Sequence, residues 1–131
     1  MAAFDRTPDL DVPDTGSVER DVVALLMQFI GVVQSTTLSS VLPTLIGACA
    51  TDPDLMGALE PLVLRRREPV RQILKRAVAR GELASGVPLD IMVDIFTGPV
   101  LLRLFFLRGD LRRSAVRALV QTAIRGLQSQ S

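Results

Sequence analysis

Histidine, tryptophan and tyrosine are absent from this 131-residue chain, and cysteine occurs once. The lack of histidine removes the commonest general acid/base and metal ligand, and the lack of tryptophan and tyrosine removes the usual aromatic hot-spot residues. A lone Cys49 permits neither an intrachain disulfide nor a cysteine-rich metal site, a usage that fits a reducing cytoplasm. An excess of one charge is also missing. Fifteen basic against fourteen acidic groups leave a formal net charge of +1, too little for the electrostatic attraction that nucleic-acid or anionic-membrane binding relies on. The start "MAAFDRTPDLDVPDTGS" has no apolar core behind a basic end, so no secretory signal is expected and the location expected is the cytoplasm. With no histidine and no evident pair of carboxylates on one helix face, an enzyme is not expected; no catalytic residue, metal site or cofactor is assigned.

What is present is apolar. Hydrophobic residues make up 48% and charged residues 22% of the chain, the composition of a globular protein. The length suits one domain that buries roughly two-thirds of its unfolded surface. Residues 1–16, with Asp5, Asp9, Asp11, Asp14, Pro8, Pro13 and Gly16, favour turns and are expected to be an N-terminal tether, ahead of a helical domain over 17–131.

Within that domain the 3.6-residue spacing predicts five helices and no strand pattern. Ser17 is a plausible cap for helix one, about 17–35, with Glu19 and Asp21 in the first turn where the dipole favours anions. Leu38, Val41, Leu42, Leu45, Ile46 and Cys49 mark helix two, in which Pro43 requires a start close before it. Asp52 and Pro53 open helix three, which Pro69 should kink or split near Glu68 and Gly81 should end. Pro88 opens helix four and Gly109 should close it; Asp110 can cap helix five, whose stripe includes Val116, Leu119, Val120, Ala123, Ile124 and Leu127.

Helix four poses a problem. The run "MVDIFTGPVLLRLFFL", Met92–Leu107, is interrupted only by Asp94, Thr97, Gly98, Pro99 and Arg103. It is shorter than the roughly 20 residues a membrane span needs, and it holds two ionisable groups, so no membrane is expected as a partner. At 100° per residue, Leu101, Leu102, Leu104, Phe105, Phe106 and Leu107 cannot all face one core. Some should face a second chain. Pro99 removes one intrahelical donor, and a bend there either shapes a pocket or only adjusts packing. The arginine-rich run from Arg65 to Arg80, with Arg67, Arg71 and Lys75 on one face, lacks aromatic interleaving and is expected to be a solvated helix face.

The order of these features resembles the C-terminal, ligand-sensing and dimerising domain of the tetracycline-repressor-like (TetR) transcriptional regulators. The resemblance rests on "PDTGSVERDV" at helix one, "ACATDPDL" between helices two and three, "ILKRAVARGEL" at the end of three, "DIFTGPVLLRLFF" in four and "IRGL" in five. It implies an all-α, five-helix bundle-like domain whose last two helices form a four-helix-bundle homodimer interface. It also implies a small apolar effector held between helices one to four. Operator DNA would be bound only through an N-terminal helix-turn-helix domain that this chain is expected to lack.

Carried onto this sequence, the resemblance places the effector site on Phe29, Val33, Leu42, Ile46, Leu59, Val63, Met92 and Phe96, with Cys49 and Thr97 as polar contributors. Read on its own, Cys49 is expected as plain packing, a small buried apolar residue and not a reactive thiol, since no histidine is present to partner it. The dimer interface falls on Leu101, Leu102, Phe105, Phe106, Val116, Leu119, Val120, Ala123 and Ile124. The alternative is a purely structural helical dimerisation module without a ligand; a closed apolar cavity would distinguish sensing from assembly.

Overall fold

Ser17 begins the first helix as its type predicts: its backbone is extended at φ −123°, and its side chain accepts from the Arg20 amide. The computed structural model describes residues 11–128, with the side chains of residues 38, 39 and 62 outside that description. The turn-forming character of residues 1–10 and the side-chain assignment of Leu38 therefore lie outside the described residues. Among the described residues there are five α-helices and no strand, the all-α architecture expected. They are α1 (Val18–Gln34), α2 (Leu38–Cys49), α3 (Pro53–Arg80), α4 (Leu89–Leu102), continued by a π-helical turn (Arg103–Leu107), and α5 (Arg113–Leu127).

Helix α1 lies at the centre and packs against each of α2, α3, α4 and α5. Its buried residues Val18, Val22, Val23, Leu25, Leu26, Ile30 and Val33 cover more of the circumference than a surface helix would bury. The second half of α3 meets it through Val70, Ile73, Leu74 and Ala77, α4 through Met92, Val93, Phe96 and Val100, and α5 through Val116, Val120, Ile124 and Leu127. These form one core. A second, smaller cluster of Val33, Leu104 and Phe105, with Phe29, Leu42 and Leu111 against it, lies where α1 ends and the π turn begins.

Three boundaries differ from expectation. Helix α3 does not split near Glu68 but runs unbroken from Pro53 to Arg80, with Pro61 and Pro69 both inside it. A proline lacks the amide that would bond the carbonyl four residues before it; for Pro61 that residue is Gly57, which is exposed, where water can reach it. Helix α4 runs through Gly98 and Pro99 as expected, but its α-helical geometry gives way at Arg103, ahead of the close expected at Gly109. The left-handed residue that ends the turn is Arg108 (φ 51°), not Gly109, and Asp110 does not cap α5. The Asp110 side chain instead accepts from the Arg112 amide at 2.9 Å, within the turn.

Gly81 does end α3 as expected. It is left-handed at φ 83°, and the next amide, that of Glu82, donates back to the Ala77 carbonyl at 2.9 Å. This is the paired closure that a glycine after a helix permits. Among the described residues no helix is long and apolar enough to cross a membrane.

Candidate functional site

The residues expected to surround an effector separate into four environments. Phe29, Val33 and Leu42 come together in the small cluster, with Phe105 and Leu104 of the π turn as neighbours. Met92 and Phe96 face the other way along α4 into the main core, where Met92 is 0% exposed. Cys49 and Leu59 are buried outside both clusters, and Ile46 and Val63 point outward, Val63 being 46% exposed. The Thr97 hydroxyl donates to the Val93 carbonyl of its own helix at 2.8 Å. Leu104 and Leu111 are the neighbours that spacing did not indicate. A π turn shifts the phase of every residue after Arg103, and an α-helical wheel drawn from Met92 cannot register that shift.

A cavity does open elsewhere. A shallow depression of about 370 Å³ lies between the start of α1 and the end of α5, lined by Glu19, Gln121, Ile124, Arg125 and Gln128. Four of its five lining residues are polar or charged and Ile124 alone is apolar, unlike the aliphatic and phenylalanine lining expected of an effector pocket. Among the described residues no group of three or more acidic or cysteine side chains could hold a metal ion.

The residues assigned to a dimer face also divide. Val116, Val120 and Ile124 pack inside the protomer, with Val120 only 1% exposed; Leu119 and Ala123 are half-buried at the core's edge. Phe105 is buried in the small cluster. Leu101, Leu102 and Phe106 are exposed, Phe106 at 58%, and Ile91, Ile95 and Leu107 join them. Ile91, Ile95, Gly98 and Leu102 recur at i, i+4, i+7 and i+11, a single stripe along the outside of α4. Once Met92, Val93 and Phe96 set the inward phase, this stripe follows from sequence. Before that, the run reads as apolar all round.

Charged groups border the stripe without entering it. Arg67 of α3 reaches Asp94 at 2.8 Å and the Asp90 carbonyl at 3.2 Å, and Arg71 pairs with Asp90 at 2.6 Å. Two members of the supposedly solvated basic face thus turn onto α4 and tie it to α3. At the far end of α4, hydrogen bonds from the Arg112 side chain and amide pull the Asp110 carboxyl down to about 2.

An all-helical domain with a buried central helix, a minor cluster beneath α2, and an apolar outer face on its fourth helix is the class of molecule defined here. The family model described as "Tetracyclin repressor-like, C-terminal domain" matches residues 12–123, and the chain belongs to that family. It is 31% identical over 130 residues to the uncharacterized HTH-type transcriptional regulator YdeS of Bacillus subtilis (strain 168), a match covering 98% of this chain and 64% of the relative. The crystal structure of the TetR family transcription regulator SCO0332 superposes with a TM-score of 0.80 at 32% identity, covering 98% of this chain and 70% of that one. This chain therefore spans a little under two-thirds of the length of YdeS. Regulators of this family are generally not enzymes and act as DNA-binding homodimers.

Proposed function

We propose that this chain is the effector-sensing and dimerisation domain of a TetR-like transcriptional repressor, with operator binding carried by a helix-turn-helix domain outside the sequence considered. The observation that carries the proposal is the outer stripe of α4. Ile91, Ile95, Leu102 and Phe106 are all large, apolar and exposed in the single chain. Water-exposed apolar area of this continuity marks a surface that another protein covers. Gly98 within the stripe and the half-buried Leu119 and Ala123 of α5 allow close approach of a second α4–α5 pair in a four-helix bundle. Of the interface set named from sequence, Leu101, Leu102, Phe106, Leu119 and Ala123 carry this contact; Phe105, Val116, Val120 and Ile124 support it from inside.

The effector, a small apolar molecule, is proposed to enter at the minor cluster. Phe29, Val33 and Leu42 form its wall there, and α2 with the first half of α3, where Leu59 is buried and Val63 exposed, forms a thin cover. Sedimentation of the purified chain at micromolar concentration tests the first half: a dimer is expected, and Leu102→Glu or Phe106→Glu should return a folded monomer. Wild-type protein that sediments only at 14.2 kDa would overturn it. A thermal-shift screen with small apolar compounds tests the second half, with about 2.7 kcal/mol of stabilisation at a hundredfold excess over Kd. Val33→Ala or Leu42→Ala should alter that shift, and Val63→Ala should alter it less.

A further inference from the structure

Two sequence motifs some sixty residues apart, "PDTGSVERD" and "ARGEL", meet at one end of the bundle. Thr15 donates its amide and its hydroxyl to Asp21 Oδ1, at 2.9 and 2.7 Å. The Asp21 side chain is buried, the residue being 1% exposed, and its other oxygen has no hydrogen-bond partner. From the other motif, Glu82 Oε2 accepts from the Val18 amide at 2.9 Å while Oε1 holds Arg80 Nε at 2.6 Å. The amino end of α1 is thus capped twice, locally by Ser17 and across the fold by Glu82.

The segment ahead of α1 is held along its length. Asp11 and Gln28 exchange two hydrogen bonds, at 3.0 and 3.1 Å, and Val12 packs on the main core. Arg76 of α3 donates to the Pro13 carbonyl at 3.4 Å and stands 4.0 Å from the Asp14 carboxylate. Residues 11–16 therefore lie against α1 and α3 and do not swing free of them. A buried carboxylate with one oxygen unsatisfied is destabilising in itself. What Asp21 supplies in return is a defined path for the chain approaching α1.

We propose that Asp21 and Glu82 are positioning residues of a two-point latch, which joins residues 11–16, the first turn of α1 and the last turn of α3 into one rigid unit. Residues 11–16 then enter α1 along a path fixed against α1 and α3. This holds whether or not the domain senses a ligand. Amide hydrogen exchange on the full chain tests it. In Asp21→Ala, exchange of the Thr15 and Asp11 amides should accelerate on the order of tenfold or more, as expected when a hydrogen bond to a charged group is lost, while Val116 to Ile124 keep their protection. In Glu82→Ala the Val18 amide should accelerate, and Thr15 with it, because the unit is rigid. Thr15→Val keeps the amide donor and removes only the hydroxyl; it decides the matter if Asp21→Ala fails to fold, with faster exchange at Asp11 and Thr15 supporting the latch. Unchanged protection of Thr15 in folded Asp21→Ala, or in Thr15→Val where Asp21→Ala does not fold, would overturn the latch. So would a Glu82→Ala effect confined to Val18.

Discussion

Arg108 and Gly109 exchange the roles their residue types suggest. The arginine takes the left-handed conformation at φ 51°, whereas the glycine has no positive φ. Glycine is required at 109 for space: a Cβ there would lie 2.9 Å from Cγ of Arg103, whose side chain folds over the turn to donate to the Asp110 carbonyl at 3.0 Å. Gly109→Ala should force Arg103 aside and lose that bond, lowering stability by about 1 kcal/mol. Arg108→Gly, which removes the cost of a side chain in a left-handed conformation, should not destabilise the protein. Urea denaturation midpoints of the two variants check the contrast, and equal losses would show that the turn tolerates neither change for a shared reason.

At the scale of the helix, α3 and α4 show how prolines are carried. Three prolines in two helices, Pro61, Pro69 and Pro99, each remove a donor, yet none ends its helix. Gly57, four residues before Pro61, is exposed, so water can reach its carbonyl. Replacement of Pro69 by alanine would restore the helical amide donor that proline lacks. It should raise stability by about 1 kcal/mol or more, the interior-proline penalty less the added freedom of the unfolded chain. A higher denaturation midpoint with unchanged helical circular dichroism is the expected result; a lower one would mean that the ring itself packs usefully. Helix α4 is also joined to α3 by the Arg67–Asp94 and Arg71–Asp90 pairs. Being partly exposed, such pairs are each worth about 0.2–1 kcal/mol.

Across the whole molecule, stability is unevenly distributed. The main core unites α1, the second half of α3, α4 and α5, while among the described side chains of α2 and the first half of α3 few are buried, Cys49 and Leu59 among them. Local opening is therefore expected first in α2, over the minor cluster, which is where the proposed effector would enter. If the α4 stripe is covered by a second copy, unfolding is coupled to dissociation, and the melting temperature should rise with protein concentration. A melting temperature constant over a hundredfold concentration range would argue against that coupling.

The helices themselves were legible in sequence because each carries local signals: Ser17 and Asp52 as caps, Pro53 at a first turn, Gly81 at a left-handed end, and apolar residues at 3.6-residue spacing. The same periodicity showed that the apolar residues of α4 exceed what one core can take. Local signals could not tell Leu102, which faces outward, from Phe105, which is buried, because the π turn between Arg103 and Leu107 alters the phase. Nor could they place Met92 and Val33 in different clusters, since that depends on which helices lie opposite. Local signals place Asp21 in the first turn, where the dipole favours an anion; only the tertiary structure buries it against Thr15, with Glu82 capping the same helix end from the α3–α4 turn. Periodicity and caps act over a few residues and are written in the chain; burial and long-range pairing depend on how the helices pack, which only the tertiary structure decides.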